Sequence, residues 1–169
     1  MLLSIKPIGA NKKLNFTKMK FISVLKSRNG KPIDFNAISD KIEEICRTNN
    51  LLLLYIYGSY ANDRASHLSD LDLAYLSEEE ISWEKESKII NEFIELFEEE
   101  AIDLVILEKV PVTLIHRILK EGKCLYAKDI STKIEFEMTK ESMYYDTYPL
   151  RKEYFEKMME KLLNGTFWD

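Results

Sequence analysis

Length, composition and charge place this chain among small folded proteins and exclude a membrane-spanning one. Its 169 residues are 46% hydrophobic, which is enough for one domain with a buried core. No apolar run approaches the roughly 20 residues that span a bilayer, and the N-terminus lacks the apolar segment of a signal peptide. We therefore predict a cytoplasmic protein without a membrane partner.

The net charge of −5 is unevenly distributed along the chain. Residues 1–33 carry eight Lys or Arg and no acid, which leaves 16 basic against 29 acidic residues, a net −13, in the remainder. A basic arm can bind nucleic acid or an acidic surface, but the acidic body disfavours nucleic acid as the partner. Met19 is an alternative start, in which case residues 1–18 are a translated leader, so whether those residues belong to the native protein stays open.

The two cysteines, Cys46 and Cys124, give no sign of a metal site or a disulfide framework. They lie far apart, and neither has a second Cys or a His at metal-ligand spacing. We predict that both are small core residues.

The N-terminal third predicts a hairpin and a helix. Apolar stretches on either side of Asn29-Gly30 indicate a small β-hairpin. Asp34 is a good N-cap, and apolar residues recur after it at helical spacing as far as Thr48. Asn49-Asn50 breaks this pattern, so the first helix is predicted to end there.

Three strands and an amphipathic helix follow. Residues 51–57, LLLLYIY, form a continuous apolar run that is too short for a typical helix and suits a strand buried on both faces. Residues 70–76 and 102–107 predict two more strands. Between them, residues 82–100 have apolar side chains at helical spacing and charges on the opposite face.

The C-terminal part predicts further helices. Pro111 opens a helix at its first position and Gly122 caps its end. CLYA, residues 124–127, makes a short extended piece. Helical spacing resumes from about Ser131 to Leu163, with a break near Tyr148-Pro149 because proline restricts the residue before it.

The order of these elements predicts an α/β (α+β) fold: a small mixed β-sheet flanked by helices, with additional C-terminal helices. We divide the chain into a basic N-terminal extension or hairpin at 1–33, a core at 34–128 and a C-terminal helical segment at 129–169. The tyrosines of that last segment could form a surface that binds a partner or stacks on a nucleotide, but we expect them to pack in the core. His116 is expected to be exposed. The three tyrosines are Tyr144, Tyr145 and Tyr148.

Three aspartates stand out because they interrupt apolar strands. Asp70 and Asp72 are two residues apart, so they project from one face of a strand about 6.5 to 7 Å from each other. Asp103 is the only charge in AIDLVIL, and its carboxylate joins the other two if the two strands are neighbours. Unpaired carboxylates on an apolar strand are costly, and divalent cations are among the few partners that offset their desolvation.

This pattern predicts phosphate chemistry. Two Mg²⁺ ions about 4 Å apart can hold the attacking and leaving oxygens of a phosphoryl displacement, which points to nucleotidyl transfer. Gly58 ends a buried strand and permits close backbone approach, and the next amides with the Ser59 hydroxyl can hold triphosphate oxygens. Arg64 could add a phosphate contact. A Gly-Ser turn or an Asp-x-Asp pair alone is a weak signal, so the prediction depends on their combination.

The same residues resemble a known signature. Gly58-Ser59, ten further residues and Asp70-Leu71-Asp72 are similar to the motif of minimal nucleotidyltransferases of the DNA polymerase β superfamily, and Asp103 matches that family's third carboxylate. LIHRILKEGKCLYAKD and YYDTYPLRKEYFEKMMEKLL resemble the C-terminal part of the subfamily encoded as antitoxin beside a HEPN-domain ribonuclease toxin. The resemblance implies a polymerase β-like fold, with residues 34–128 as the nucleotidyltransferase core.

The resemblance also implies roles. Asp70 and Asp72 would ligate two Mg²⁺ ions, Asp103 would ligate the catalytic ion and help activate the acceptor hydroxyl, and Gly58 and Ser59 would hold the triphosphate. The implied reaction transfers AMP from ATP to a tyrosine of the HEPN toxin and silences it. Many relatives read GSxARG where this chain reads GSYANDR, so the basic residue of that motif is not matched at its position, Asp63 follows directly, and nucleotide choice stays open.

Two alternatives remain at this point. The acceptor could be a small molecule such as an aminoglycoside, although such enzymes usually carry a larger second domain. The protein could instead be a non-catalytic antitoxin that neutralises its partner by binding. Neither the acceptor residue, the number of AMP groups transferred nor the stoichiometry of a complex follows from the sequence.

Overall fold

The fold is a mixed four-stranded sheet with helices on both faces. A computed structural model describes residues 25–26, 32–62, 64–66 and 69–165. The predicted turn at Asn29-Gly30 lies outside these ranges, as do Asp63 and most of the basic arm. Within the described ranges, no helix combines the length and apolar character needed to cross a bilayer.

Six strands and six helices are present in the described part of the chain. In order they are β1 (Leu25–Lys26), β2 (Pro32–Ile33), α1 (Phe35–Thr48), β3 (Leu51–Tyr57), α2 (Gly58–Ala61), β4 (Leu71–Ser77), α3 (Trp83–Phe97), β5 (Ile102–Ile106), α4 (Val112–Glu121), β6 (Lys123–Ala127), α5 (Ile130–Asp146) and α6 (Tyr148–Leu163).

The sheet topology confirms the predicted mixed sheet. The strand order is β5-β4-β3-β6, in which β4 and β5 are parallel and β3 is antiparallel to both β4 and β6. β1 and β2 pair antiparallel as a separate two-stranded piece, in agreement with the predicted hairpin. The parallel pairing follows from α3, which carries the chain from the end of β4 back to the start of β5.

The two central strands are buried on both faces because each face is covered by helices. Side chains of β3 and β4 alternate between two apolar clusters, one shared with α1 and α3 and the other with α4 and α5. This explains the continuous apolar run of residues 51–57, which was predicted as a doubly buried strand. Cys46 is fully buried, Cys124 is half-buried, and both thiols are free.

The helix ends lie close to the predicted positions, because local capping interactions determine them. The Asp34 carboxylate accepts from the amide of Asn36 at 3.0 Å and caps α1. Several predicted boundaries were wrong by one to three residues: β4 begins at Leu71 rather than Asp70, α3 ends at Phe97 rather than at residue 100, and Pro111 is the N-cap of α4 rather than its first residue. The break near Pro149 is confirmed, since α5 ends at Asp146 and α6 begins at Tyr148.

Of the two C-terminal helices, α5 contributes to a core cluster and α6 does not. Phe136 is the buried residue of α5, and no residue of α6 is buried. The expectation that the tyrosines pack in the core was therefore wrong for Tyr145 and Tyr148, which are more than half exposed. Helical spacing identified the helices, but it does not determine whether their apolar side chains face the sheet or solvent.

Gly122, at the end of α4, is required by close packing. A Cβ at this position would lie 2.5 Å from the carbonyl oxygen of Ile118 and 2.7 Å from that of Ile56. We expect Gly122→Ala to lower the free energy of unfolding by about 1–3 kcal/mol, because backbone atoms cannot yield as a side chain can. Urea unfolding measures this change, with exposed Lys120→Ala on the same helix as the control; equal stability of the two variants would contradict the packing.

Candidate active site

Three aspartates lie near one another at one end of the sheet. Asp72 is the second residue of β4, Asp70 immediately precedes that strand, and Asp103 is directly opposite Asp72 in the parallel register with β5. Strand periodicity places Asp72 on the face of Ala74, which belongs to the cluster covered by α4 and α5. The predicted convergence of the three aspartates therefore has a structural basis in the pairing of β4 with β5.

Gly58 lies against the central carboxylate. Its backbone has a φ of +68°, and an added Cβ would overlap Oδ2 of Asp72 and lie 2.9 Å from Cγ of that residue. The preceding residue, Tyr57, is the register partner of Asp72 across β3 and β4. Glycine is needed here for both its positive φ and its lack of a side chain.

The carboxylates repel one another. Burial raises the pKa of Asp72, and the negative charges of Asp103 and Asp70 raise it further, while the Arg117 guanidinium opposes them. Burial and the carboxylates of Asp72 and Asp103 likewise raise the pKa of Tyr57 to about 12, again opposed by Arg117. The site is thus an acidic cluster facing a phenol and one cation.

Such a cluster has the donor chemistry of a magnesium site, because Mg²⁺ prefers carboxylate oxygens and keeps places for phosphate oxygens. A cation would relieve the repulsion that raises the pKa of Asp72. In the described part of the chain, no group of three or more His, Cys, Asp or Glu side chains is already arranged to hold a metal ion. The carboxylates are the type of ligand that Mg²⁺ prefers, and they lie near one another. Their roles as metal ligands remain predictions.

The predicted phosphate-binding residues differ in how close the structure places them to this cluster. Ser59 follows Gly58 in the four-residue helix α2, and its carbonyl accepts from the amide of Arg64 at 2.9 Å. The Arg64 side chain is exposed, and the guanidinium that acts on Asp72 belongs to Arg117 instead. The phosphate contact of Arg64 stays a prediction.

Sequence reasoning missed two members of the site, Tyr57 and Arg117. Tyr57 ends an apolar run and resembles a core residue, and the long connection between β3 and β4 hides its pairing with Asp72. Arg117 lies on α4, and no sequence motif indicates where this helix packs on the sheet. The alternation of Leu53, Tyr55 and Tyr57 toward one face was the available signal for the tyrosine.

His116, expected to be exposed, is packed between helices. Its ring stacks on Tyr144 with centroids 3.7 Å apart, and its Nδ1 lies 2.8 Å from Oε1 of Glu141. Arg151 covers the Tyr144 ring at 4.2 Å from its centroid, so α4, α5 and α6 are joined through one tyrosine. The other histidine, His67, lies outside the described residues.

Comparison with known proteins gives one family and several similar structures. A model of the family described as polymerase beta, nucleotidyltransferase, matches residues 40–131, which include every site residue named above. No curated protein matches the chain at a significant level.

The similar solved structures share its fold. A chain in a crystal structure of a toxin-antitoxin with AMP-PNP is 24% identical with a TM-score of 0.61, and the match covers 72% of this chain and 98% of that one. A chain in the structure of tri-AMPylated Shewanella oneidensis HEPN toxin in complex with MNT antitoxin is 22% identical with a TM-score of 0.60, covering 75% and 99%. At these identities the likeness shows the polymerase β-like fold.

Proposed function

The chain belongs to the polymerase β nucleotidyltransferase family, and from that premise we propose that it transfers AMP from ATP to a tyrosine of a HEPN-domain RNase toxin and so acts as the antitoxin. The observation that carries the proposal is the placement of Asp72 beside Asp103 and against Gly58, with Asp70 close by. We place the reaction in the cytoplasm, where ATP is available.

The site residues have distinct roles in this proposal. Asp70, Asp72 and Asp103 would hold two Mg²⁺ ions, which when bound supply positive charge that stabilises the reacting phosphate. Gly58 and Ser59 would hold the triphosphate through backbone amides and the serine hydroxyl.

The proposed reaction exchanges one bond at the α-phosphorus for another. The tyrosine oxygen of the acceptor forms a bond to that phosphorus, the bond to the bridging oxygen breaks, and pyrophosphate leaves with its electron pair. The hydroxyl proton of the acceptor passes to solvent water as the new bond forms. The Asp103 carboxylate, exposed at the rim of the cluster, would favour this loss by its negative charge.

A protein acceptor is supported by the apolar surface of the last two helices. We call this the C-terminal apolar surface; its exposed members are Ile130, Ile134, Met138, Met143, Tyr145, Tyr148, Leu150, Tyr154, Phe155, Met159, Leu162 and Leu163. Large exposed apolar patches in folded proteins usually mark interaction sites. The similar structures are complexes of a toxin with an antitoxin, and in one of them the HEPN toxin is tri-AMPylated.

We expect charge on the C-terminal apolar surface to weaken toxin binding. Phe155 and Leu162 are about half exposed and seven residues apart, so they lie on one side of α6. The double variant Phe155→Asp, Leu162→Asp should bind the candidate toxin at least about tenfold more weakly in calorimetry, since buried apolar anchors dominate interfaces. Glu160→Ala, on the opposite side of α6, serves as the control, and equal affinities would exclude this surface from the interface.

A neutralisation assay tests the transfer reaction against binding alone. The toxin's RNase activity is measured after incubation with ATP, Mg²⁺ and either the wild type or the Asp70→Ala, Asp72→Ala variant. The proposal predicts that the wild type silences the toxin and that the variant binds the toxin without silencing it. Full neutralisation by the variant would indicate a non-catalytic antitoxin.

A further inference from the structure

Helix α4 brings Arg117 to the end of the sheet where the carboxylates lie. Ile115 and Ile118 on this helix are buried against the sheet. At the end of the helix, Gly122 packs so closely on β3 that a Cβ there would lie 3.3 Å from Cβ of Tyr57. The last turns of α4 are therefore fixed beside Tyr57, the residue that precedes Gly58.

Among the described residues, Arg117 has no hydrogen-bond or ion-pair partner, although its helix packs beside the strand end that carries the acidic cluster. Its side chain is exposed, and its charge acts on both Tyr57 and Asp72. Arg151 provides a contrast, because its guanidinium donates to Thr147 and, at 2.8 Å, to the carbonyl of Tyr144. An exposed guanidinium at the mouth of a site can turn toward an incoming anion.

We propose that Arg117 is a phosphate-binding residue of the nucleotide site. In the resting protein its guanidinium offsets the charge of the carboxylates, and with nucleotide and Mg²⁺ bound it contacts the phosphate chain. This inference rests on the proposed function, since it takes ATP as the substrate.

Two physical arguments support a contact between Arg117 and the phosphates of the bound nucleotide. A divalent ion at the carboxylates repels a guanidinium held beside them, so the two cations compete for Asp72. The planar guanidinium fork matches phosphate oxygens and binds them by charge-assisted hydrogen bonds. The nucleotide brings phosphates to the same end of the sheet, where the Arg117 guanidinium can donate hydrogen bonds to them.

The packing of His116 keeps this arginine in place. His116 is stacked on Tyr144 and paired with Glu141 at 2.8 Å, so α4 is anchored to α5 one residue before Arg117. The helix is thereby held from both sides, by the sheet and by α5. A fixed helix with one exposed arginine presents a charge without reorganisation when the substrate arrives.

The test uses binding rather than turnover. Calorimetry with the full chain measures the affinity of wild type and Arg117→Ala for a nonhydrolysable ATP analogue with Mg²⁺, for AMP, and for Mg²⁺ alone. We expect Arg117→Ala to weaken analogue binding about tenfold or more, the usual effect of losing one charge-assisted contact. AMP affinity should change less than twofold, and Mg²⁺ alone should bind more tightly because a competing cation is gone. Lys120→Ala is the matched control one turn further along α4.

The outcomes separate this inference from the function on which it rests. Unchanged analogue affinity, or an equal loss for AMP and the analogue, would overturn the role of Arg117 while leaving nucleotide transfer in place. A wild type that binds neither the analogue nor Mg²⁺ would overturn the proposed function and this inference together. Arg117→Lys provides a further check, because a point charge without the fork should restore only part of the lost affinity.

Discussion

Replacing Asp72 by Asn should abolish most AMP transfer while making the metal-free protein more stable. Asn has the same size and removes the central charge of the cluster, so we expect transfer to fall about a hundred- to thousandfold, the range seen when one electrostatic contact of a transition state is lost. The rate of transfer is measured with radiolabelled ATP and the candidate toxin. Asp40→Asn, at an exposed position of α1, is the control and should leave both properties unchanged.

The stability gain follows from the direction of the pKa shift. Burial, Asp103 and Asp70 raise the pKa of Asp72 in the folded protein, so the folded state holds that proton more tightly than the unfolded chain. Protonated Asp72 therefore adds to the free energy of unfolding at low pH. This contribution is lost as the pH rises through the raised pKa of Asp72 in the folded protein. Thermal unfolding in EDTA at neutral pH should show a higher Tm for Asp72→Asn than for wild type, and a lower Tm would contradict repulsion within the cluster.

Gly58→Ala should also inactivate the protein, through displacement of the same carboxylate. The variant meets two penalties: a positive φ that costs an L-residue roughly 1–2 kcal/mol, and overlap with Oδ2 of Asp72. Because the carboxylate must move, we expect transfer to fall about a hundredfold and urea unfolding to show a lower stability.

Gly165 offers a matched control for the cost of placing an L-residue at a positive φ. It has a φ of +71° beyond the end of α6, and an added Cβ there would meet nothing within 4 Å. Gly165→Ala should therefore carry similar backbone strain but keep full transfer activity. If both variants kept wild-type activity, the contact between Gly58 and Asp72 would not matter for the reaction.

The sequence predicted the elements and the carboxylates because these depend on local periodicity. Alternation placed Asp70 and Asp72 on one face, and a lone charge on an apolar strand identified Asp103. The consequences of helix docking could not be predicted: the charge of Arg117 acts on Asp72 because α4 packs on the sheet at Gly122, and no motif encodes that position.

The exposed C-terminal tyrosines illustrate a second limit of sequence reasoning. Helical spacing of apolar residues predicts that a face will be covered, but the pattern is the same whether the cover is the protein's own sheet or another protein. Tyr148 fitted the core pattern and is nevertheless more than half exposed. Burial within the chain and burial in a complex cannot be separated without the fold.

Intact mass spectrometry of the candidate toxin tests the central claim most directly. The toxin is incubated with this protein, ATP and Mg²⁺, in parallel with the Asp70→Ala, Asp72→Ala variant. The proposed function predicts a mass increase in whole AMP units with the wild type and none with the variant. An unmodified toxin in a stable complex with the wild type would contradict AMP transfer and leave neutralisation by binding as the activity.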